Sequence, residues 1–192
     1  MPHPHPTDSP TPTLTLKNGS LALADPDLHT FITIRPFEEA DFPAVWAIFE
    51  PIVRAGRTYA YDPQTDRQGA HELWIEKPQQ TFVAEEEGQI LGTYYIKPNQ
   101  PGLGSHVCNC GYMVAEAARG RGVATAMCLH SQNIARSLGF RAMQFNLVVS
   151  TNQSAWRLWQ KLGYEIVGTL PRAFNHPERG FVDAYVMYRW LD

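Results

Sequence analysis

Three cysteines are too few, and odd in number, for a disulfide framework; reduced thiols and a cytoplasmic location are the expectation. No apolar run of about 18 residues occurs, so no membrane-spanning helix is expected. The N-terminal Met-Pro-His-Pro-His-Pro lacks the basic and apolar regions of a secretory signal. Charge of one sign is scarce too. Sixteen Lys and Arg against nineteen Asp and Glu leave a net −3, which gives no global reason to expect a nucleic-acid partner. Cys108 and Cys110 share a strand face, but no second cysteine pair or histidine cluster completes a zinc site, so no metal is expected. Both read as small buried hydrophobes, and Cys128 belongs to the apolar stripe of a helix. No internal repeat is visible.

What is present suits a single domain. At 192 residues and 44% hydrophobic content the chain can bury one sizeable core. Residues 1–12, rich in Pro, Ser and Thr, read as a disordered tail, with His3 and His5 part of it rather than metal ligands. Residues 13–30 read as a β-hairpin extension. Apolar residues alternate on both sides of Asn18-Gly19, a pair that supplies the two positive φ angles of a type I′ turn. Residues 31–192 form the main domain. Strands are expected over 31–35, 82–86, 90–96, 107–114, 142–149, 164–170 and 181–191, and helices over 38–55, 68–76, 125–138 and 152–162. Pro51 should kink or split the first helix, and 171–180 should be a loop. The order predicts an α/β fold with a mixed sheet flanked by helices.

The most informative stretch runs from Gly111 to Leu138. A strand ends in Gly-Tyr-Met-Val, then Arg119-Gly120-Arg121-Gly122-Val123-Ala124 leads into a helical pattern without Gly or Pro. Glycine opens backbone dihedrals closed to other residues and lets a ligand approach the main chain. The free N–H groups and dipole of a helix N-terminus favour a bound anion. A strand, a basic Gly-rich turn and a helix start make a phosphate cradle, although an ordinary connecting turn can carry the same short pattern. It is neither the nucleotide P-loop spacing nor G-x-G-x-x-G.

This Arg-x-x-Gly-x-Ala loop, with the element order around it, resembles the GNAT family of N-acetyltransferases. The resemblance implies acetyl transfer from acetyl-CoA, a co-substrate, to an amine, with no metal. It implies that the main chain of Arg119, Gly120, Arg121, Gly122, Val123 and Ala124 binds the pyrophosphate. It also implies that the strand ending Tyr112-Met113-Val114 splays from the strand Phe145-Asn146-Leu147-Val148. The pantetheine arm lies in that gap against Tyr112, Met113 and Val114.

Two positions depart from the family pattern. The family's proton-donating Tyr is Trp159 here, and an indole N–H is no practical acid. The strand Glu that can act as a base is Asn109. Together with 91–99, 105–109, 145–148, 151–153 and 156–162, these departures resemble the fungal L-azetidine-2-carboxylate acetyltransferases, which acetylate the ring nitrogen of proline-like amino acids. That resemblance implies that Asn109 and the backbone N–H groups of Asn146 and Leu147 bind the substrate carboxylate. Asn152 would direct its amide at the thioester sulfur, as both a catalytic and a cofactor-contacting residue. Neutral donors suit an anionic substrate, which a Glu would repel. Capping or strand-end hydrogen bonds are the alternative for each Asn. His106, Asp183 and Tyr59 are the remaining candidates for a base, and Tyr94-Tyr95 reads as core packing. A small-molecule amine or amino acid is the expected partner and a homodimer a possible assembly. A protein or peptide amine, or an idle acyl-CoA-binding domain, stays open as an alternative.

Overall fold

The structure, a computed structural model, describes residues 13–17, 20–24 and 31–191. The expected tail over 1–12 and the Asn18-Gly19 turn lie outside the described residues. Among the described residues, nine strands form one sheet in the order β1-β2-β3-β4-β5-β6-β7-β9-β8. They are β1 (Thr13–Lys17), β2 (Ser20–Ala24), β3 (Phe31–Pro36), β4 (Gln80–Glu86), β5 (Gln89–Pro98), β6 (Val107–Val114), β7 (Ala142–Val149), β8 (Glu165–His176) and β9 (Gly180–Trp190). Every neighbouring pair is antiparallel except β6 and β7. The helices are α1 (Phe42–Arg54), α2 (Arg67–His71), α3 (Val123–Ser137) and α4 (Gln153–Lys161).

Both faces of the central strands are covered, so their sequences read as nearly unbroken apolar runs. The side-chain alternation sorts them. Phe82, Tyr94, Ile96, Cys108 and Cys110 pack with Val123, Met127 and Cys128 of α3 and Trp159 of α4. Val83, Tyr95 and Met113, one residue out of phase, pack with Phe42, Val45, Ile48, Phe49 and Val53 of α1 and with Trp74. Glu87 and Gly88, both at positive φ (51° and 81°), turn β4 into β5 in a tight hairpin.

Two expectations need correction. Pro51 does not split α1, which runs through it; the expected helix divides earlier, at a 3-10 turn over Glu39–Asp41. Pro51 and Ala47, whose carbonyl loses its helical partner, both lie exposed, so water can satisfy that group. The expected loop over 171–180 is mostly strand, because β8 continues to His176 through a slip in register between Leu170 and Phe174, with Arg172 at φ 53°. Pro171 is tolerated there because β8 is the sheet edge and the bulge needs no ladder N–H.

The segment after α2 is a π-helical turn, Glu72–Glu76, which buries Trp74 against the sheet. At its start His71 bridges Glu76 (Nδ1 to Oε1, 2.9 Å) and Glu39 (Nε2 to Oε1, 3.0 Å). Burial lowers its pKa, but the bonds to both glutamates outweigh this and the net shift is upward. A raised folded-state pKa contributes stability that is complete below the unfolded value, about 6.5, and is lost as pH rises through the folded value. Wild type minus His71→Gln, measured by urea unfolding, should therefore show a stability difference that shrinks from pH 6 to pH 9. The effect is small, because both glutamates are solvated.

Candidate active site

The site begins where two parallel strands part. β6 and β7 pair only at Val107↔Ala142 and Cys108↔Met143, although both strands continue well beyond. At the next position the ladder is replaced by a side chain: Asn109 Nδ2 donates to the Gln144 carbonyl at 2.8 Å. Its Oδ1 accepts from the Tyr95 hydroxyl at 3.2 Å, so Asn109 is held on both sides with one amide hydrogen left over. Past it, rings from both strands pack with Trp159 of α4 on the α3 side of the sheet. Tyr112 and Trp159 lie 5.1 Å apart, Phe145 and Trp159 5.3 Å, and Tyr112 and Phe145 5.9 Å. Trp159, standing where the family's Tyr would be, is buried among these rings.

On the other side β7 slips against β9 between Phe145↔Met187 and Val148↔Tyr185, so Asn146 and Leu147 stand opposite Val186 alone. A bulge of this kind leaves backbone groups outside the ladder beside a sheet opening. The exposed Asn146 side chain donates to Asn99 Oδ1 (2.7 Å) and accepts from Gln144 Nε2 (2.8 Å). Met113 is turned into the core under α1, Val114 pairs with Gly92, and the Tyr112 carbonyl accepts from the Tyr59 hydroxyl at 2.7 Å. Burial holds the Tyr59 hydroxyl far above its ordinary pKa, so it donates to Tyr112 and is no base.

The cradle lies between β6 and α3. Gly120 and Gly122 sit at φ 79° and 78°, with nothing within 4 Å of where a Cβ would be. Glycine is required here by dihedral, and the space outside is open. The N–H groups of Arg119 and Arg121 turn back to Glu116 and Ala118, and the first helical bond is Ala126 to Gly122 at 3.0 Å. Those of Gly120, Gly122, Val123 and Ala124 have no partner among the described residues. Arg121 pairs with Glu86, and Arg119 is exposed. This set of donors fits a pyrophosphate. Gly122→Val forces a β-branched residue to φ 78° and places its branches in that open space. CoA affinity should fall at least about tenfold, roughly 1.4 kcal/mol, by calorimetric titration; unchanged affinity in a folded variant would remove the cradle assignment.

Asn152 caps α4. Its Oδ1 accepts from Ala155 N–H (3.4 Å) and Ser154 Oγ (3.1 Å), while Nδ2 has no partner among the described residues. Capping thus fixes the amide orientation and leaves its donor end free. Asn152 and Thr151 line an open cleft of about 240 Å³ together with Arg57, Thr58, His176, Glu178 and Arg179.

Of the other candidates, Asp183 lies beside the start of α4, where its carbonyl accepts from Ser150 N–H at 3.0 Å. His106 precedes the paired end of the fork, its Nδ1 at 3.2 Å from the Leu103 carbonyl, and Asp183 accepts from Arg172 N–H at 2.9 Å. Tyr94 is core, bonded to His130 Nδ1 at 2.7 Å; burial pushes that imidazole down to about 4. Tyr95 is more than packing, since it holds Asn109. Gln144 and Asn99, which support the bulge, were not singled out by sequence; a glutamine amid the apolar residues of β7 was the available signal. Cys108, Cys110 and Cys128 are all buried, and among the described residues no cluster of three His, Cys, Asp or Glu could hold a metal ion.

Residues 40–164 match the model of the acetyltransferase (GNAT) family. Among solved structures, a GCN5-related N-acetyltransferase from Kribbella flavida superposes with a TM-score of 0.80 at 48% identity, covering 83% of this chain and 98% of that one. The yncA protein of Salmonella typhimurium, solved with its cofactor acetyl-CoA, shares the fold at a TM-score of 0.71 and 22% identity, over 84% and 94% of the two chains. N-acetyltransferase aca1 of Schizosaccharomyces pombe is 38% identical over 98 residues, 50% of this chain and 47% of aca1, so the match spans about half of that relative. With the forked sheet and the anion cradle in place, the chain belongs to the GNAT family of acetyl-CoA-dependent acyltransferases.

Proposed function

We propose that the protein transfers acetyl from acetyl-CoA to the amine of a small amino acid, with proline-like acids as the preferred class. The observation that carries this reading is the fork: β6 and β7 part after Cys108↔Met143, and β6 then leads through the glycine turn into a helix start whose N–H groups are unpartnered among the described residues. Gly120, Gly122, Val123 and Ala124 would hold the pyrophosphate, with Tyr112, Met113 and Val114 flanking the pantetheine arm. Acetyl-CoA supplies the acyl group as a thioester.

The rest is the work of this chain's own side chains. The free Nδ2 of Asn152 is a donor for charge developing at the thioester, fixed by its cap and needing no proton exchange. The remaining Asn109 hydrogen, with the bulged backbone at Asn146 and Leu147, offers neutral donors for a carboxylate. A carboxylate in place of Asn109 would repel that group. Tyr59 is held protonated, His106 lies at the closed end and the Asp183 carboxylate is engaged by the Arg172 N–H, so the amine releases its proton to water.

Acceptor-dependent thiol release, measured across proline-like acids, primary amino acids and N-terminal peptides, tests the substrate class. The highest kcat/KM should fall on the proline-like acids. Saturation by a peptide at lower concentration, with no response to amino acids, would replace this reading by a peptide acetyltransferase.

A further inference from the structure

The cleft beside Asn152 is built by three segments distant in sequence: Arg57 and Thr58 after α1, Thr151 and Asn152 before α4, and His176, Glu178 and Arg179 at the β8–β9 hairpin. Its charged lining is two arginines and one glutamate, and the glutamate is already engaged, because Arg57 and Glu178 form an ion pair across the cleft. The Arg179 guanidinium has no hydrogen-bond or ion-pair partner among the described residues. His176 Nδ1 accepts from the Glu178 N–H at 3.2 Å, which leaves the imidazole its Nε2 proton as a further donor. Two threonine hydroxyls add to the lining. From α4 only its N-cap residue, Asn152, reaches the cleft, with its Nδ2 unpartnered among the described residues. At about 240 Å³ the cleft holds far more than one water, which takes about 30 Å³.

An unpaired cation and neutral donors line one cleft, and the only acid among its described lining residues is neutralised, which makes an anion site in a protein of net −3. We propose that this cleft binds a second carboxylate of the acceptor, one remote from the reacting amine, with Arg179 as its counter-ion, so that amino dicarboxylates are favoured acceptors. Arg57 is held to the hairpin by Glu178 and defines the wall. The inference rests on the acetyltransferase reading for the word acceptor, and on the cleft alone for the anion.

The test compares azetidine-2-carboxylate with pyrrolidine-2,4-dicarboxylate in wild type and Arg179→Met, alongside calorimetric titration of glutarate, a dicarboxylate with no amine. Wild type should prefer the dicarboxylate about tenfold in kcat/KM, about 1.4 kcal/mol. Arg179→Met should erase that preference while leaving the monocarboxylate within about twofold, the range of an uninvolved surface change. Glutarate should bind wild type and be lost in Arg179→Met. No glutarate binding, or equal binding by both proteins, overturns the proposal whatever the turnover shows. Glutarate binding that depends on Arg179, with no thiol release from any acceptor, keeps the anion site and removes the transferase reading instead. Glu178→Gln keeps the test open if Arg179→Met does not fold, because freeing Arg57 should tighten glutarate binding; weaker or unchanged binding counts against the site.

Discussion

Asn152→Asp leaves a folded protein whose turnover falls about 10²–10³-fold, the usual cost of losing one donor aimed at developing charge. The prediction follows from how the amide is divided. Its Oδ1 caps α4 through Ala155 N–H and Ser154 Oγ, and only Nδ2 is left for chemistry. Aspartate keeps an oxygen for the cap and replaces the donor by a second negative oxygen, so stability should hold while kcat collapses. Asn152→Ala removes both functions, which should lower kcat similarly and also cost about 0.5–2 kcal/mol of stability. KM for the amine should change little in either variant. Near-normal turnover in Asn152→Asp would leave Asn152 a cap and nothing more.

Trp74→Ala should destabilise the protein by about 3–5 kcal/mol, the range for emptying a large aromatic site. Trp74 is 0% exposed. Its ring meets Tyr95 at 4.8 Å, Phe49 at 5.8 Å and Tyr59 at 5.8 Å, and its Nε1 donates to Thr93 Oγ1 at 3.0 Å. Thr93 donates onward to the Phe82 carbonyl, so the hydroxyl keeps one bond and the loss is mostly packing. Tyr95 and Tyr59 reach the fork from this cluster, through Asn109 and the Tyr112 carbonyl. Whatever fraction stays folded should therefore also show a raised KM for the acceptor. Chemical denaturation and steady-state kinetics on the same sample check both. A loss below about 1 kcal/mol, the range of ordinary surface substitutions and slightly above, would show that the π-helical turn repacks without it.

Much of the fold was legible because its signals are local. β6 and β7 begin and end where alternation and β-forming residues do, and α3 ends at Ser137 with Leu138 as its C-cap, before Gly139, which sits at φ 84°. Asn152 reads as a cap from its place before an apolar-periodic run. What was hidden depends on partners far along the chain. Pro51 looks like a break unless its exposure is known, and Pro171 looks like a loop unless β8 is known to be the edge strand.

The site divides in the same way. The Gly120–Gly122 turn is a local dihedral pattern and visible. That Asn109 bonds to Gln144, that Tyr59 bonds to the Tyr112 carbonyl, and that Arg57, Asn152 and Arg179 meet in one cleft are facts of tertiary assembly with no periodicity to betray them. Trp159 is visible as a departure from the family, but its packing against Tyr112 and Phe145 depends on residues far along the chain.

The central claim is acetyl transfer to the nitrogen of a small amino acid, and one experiment meets it directly. Acetyl-CoA and azetidine-2-carboxylate are incubated with the protein, free thiol is followed in time, and the acceptor is analysed by mass spectrometry. The account predicts thiol release that depends on the acceptor and matches N-acetylated product mole for mole. Tight CoA binding through the Gly120–Gly122 turn, with no acceptor-dependent thiol and no acetylated product from any amino acid, would contradict it and leave an acyl-CoA-binding domain in its place.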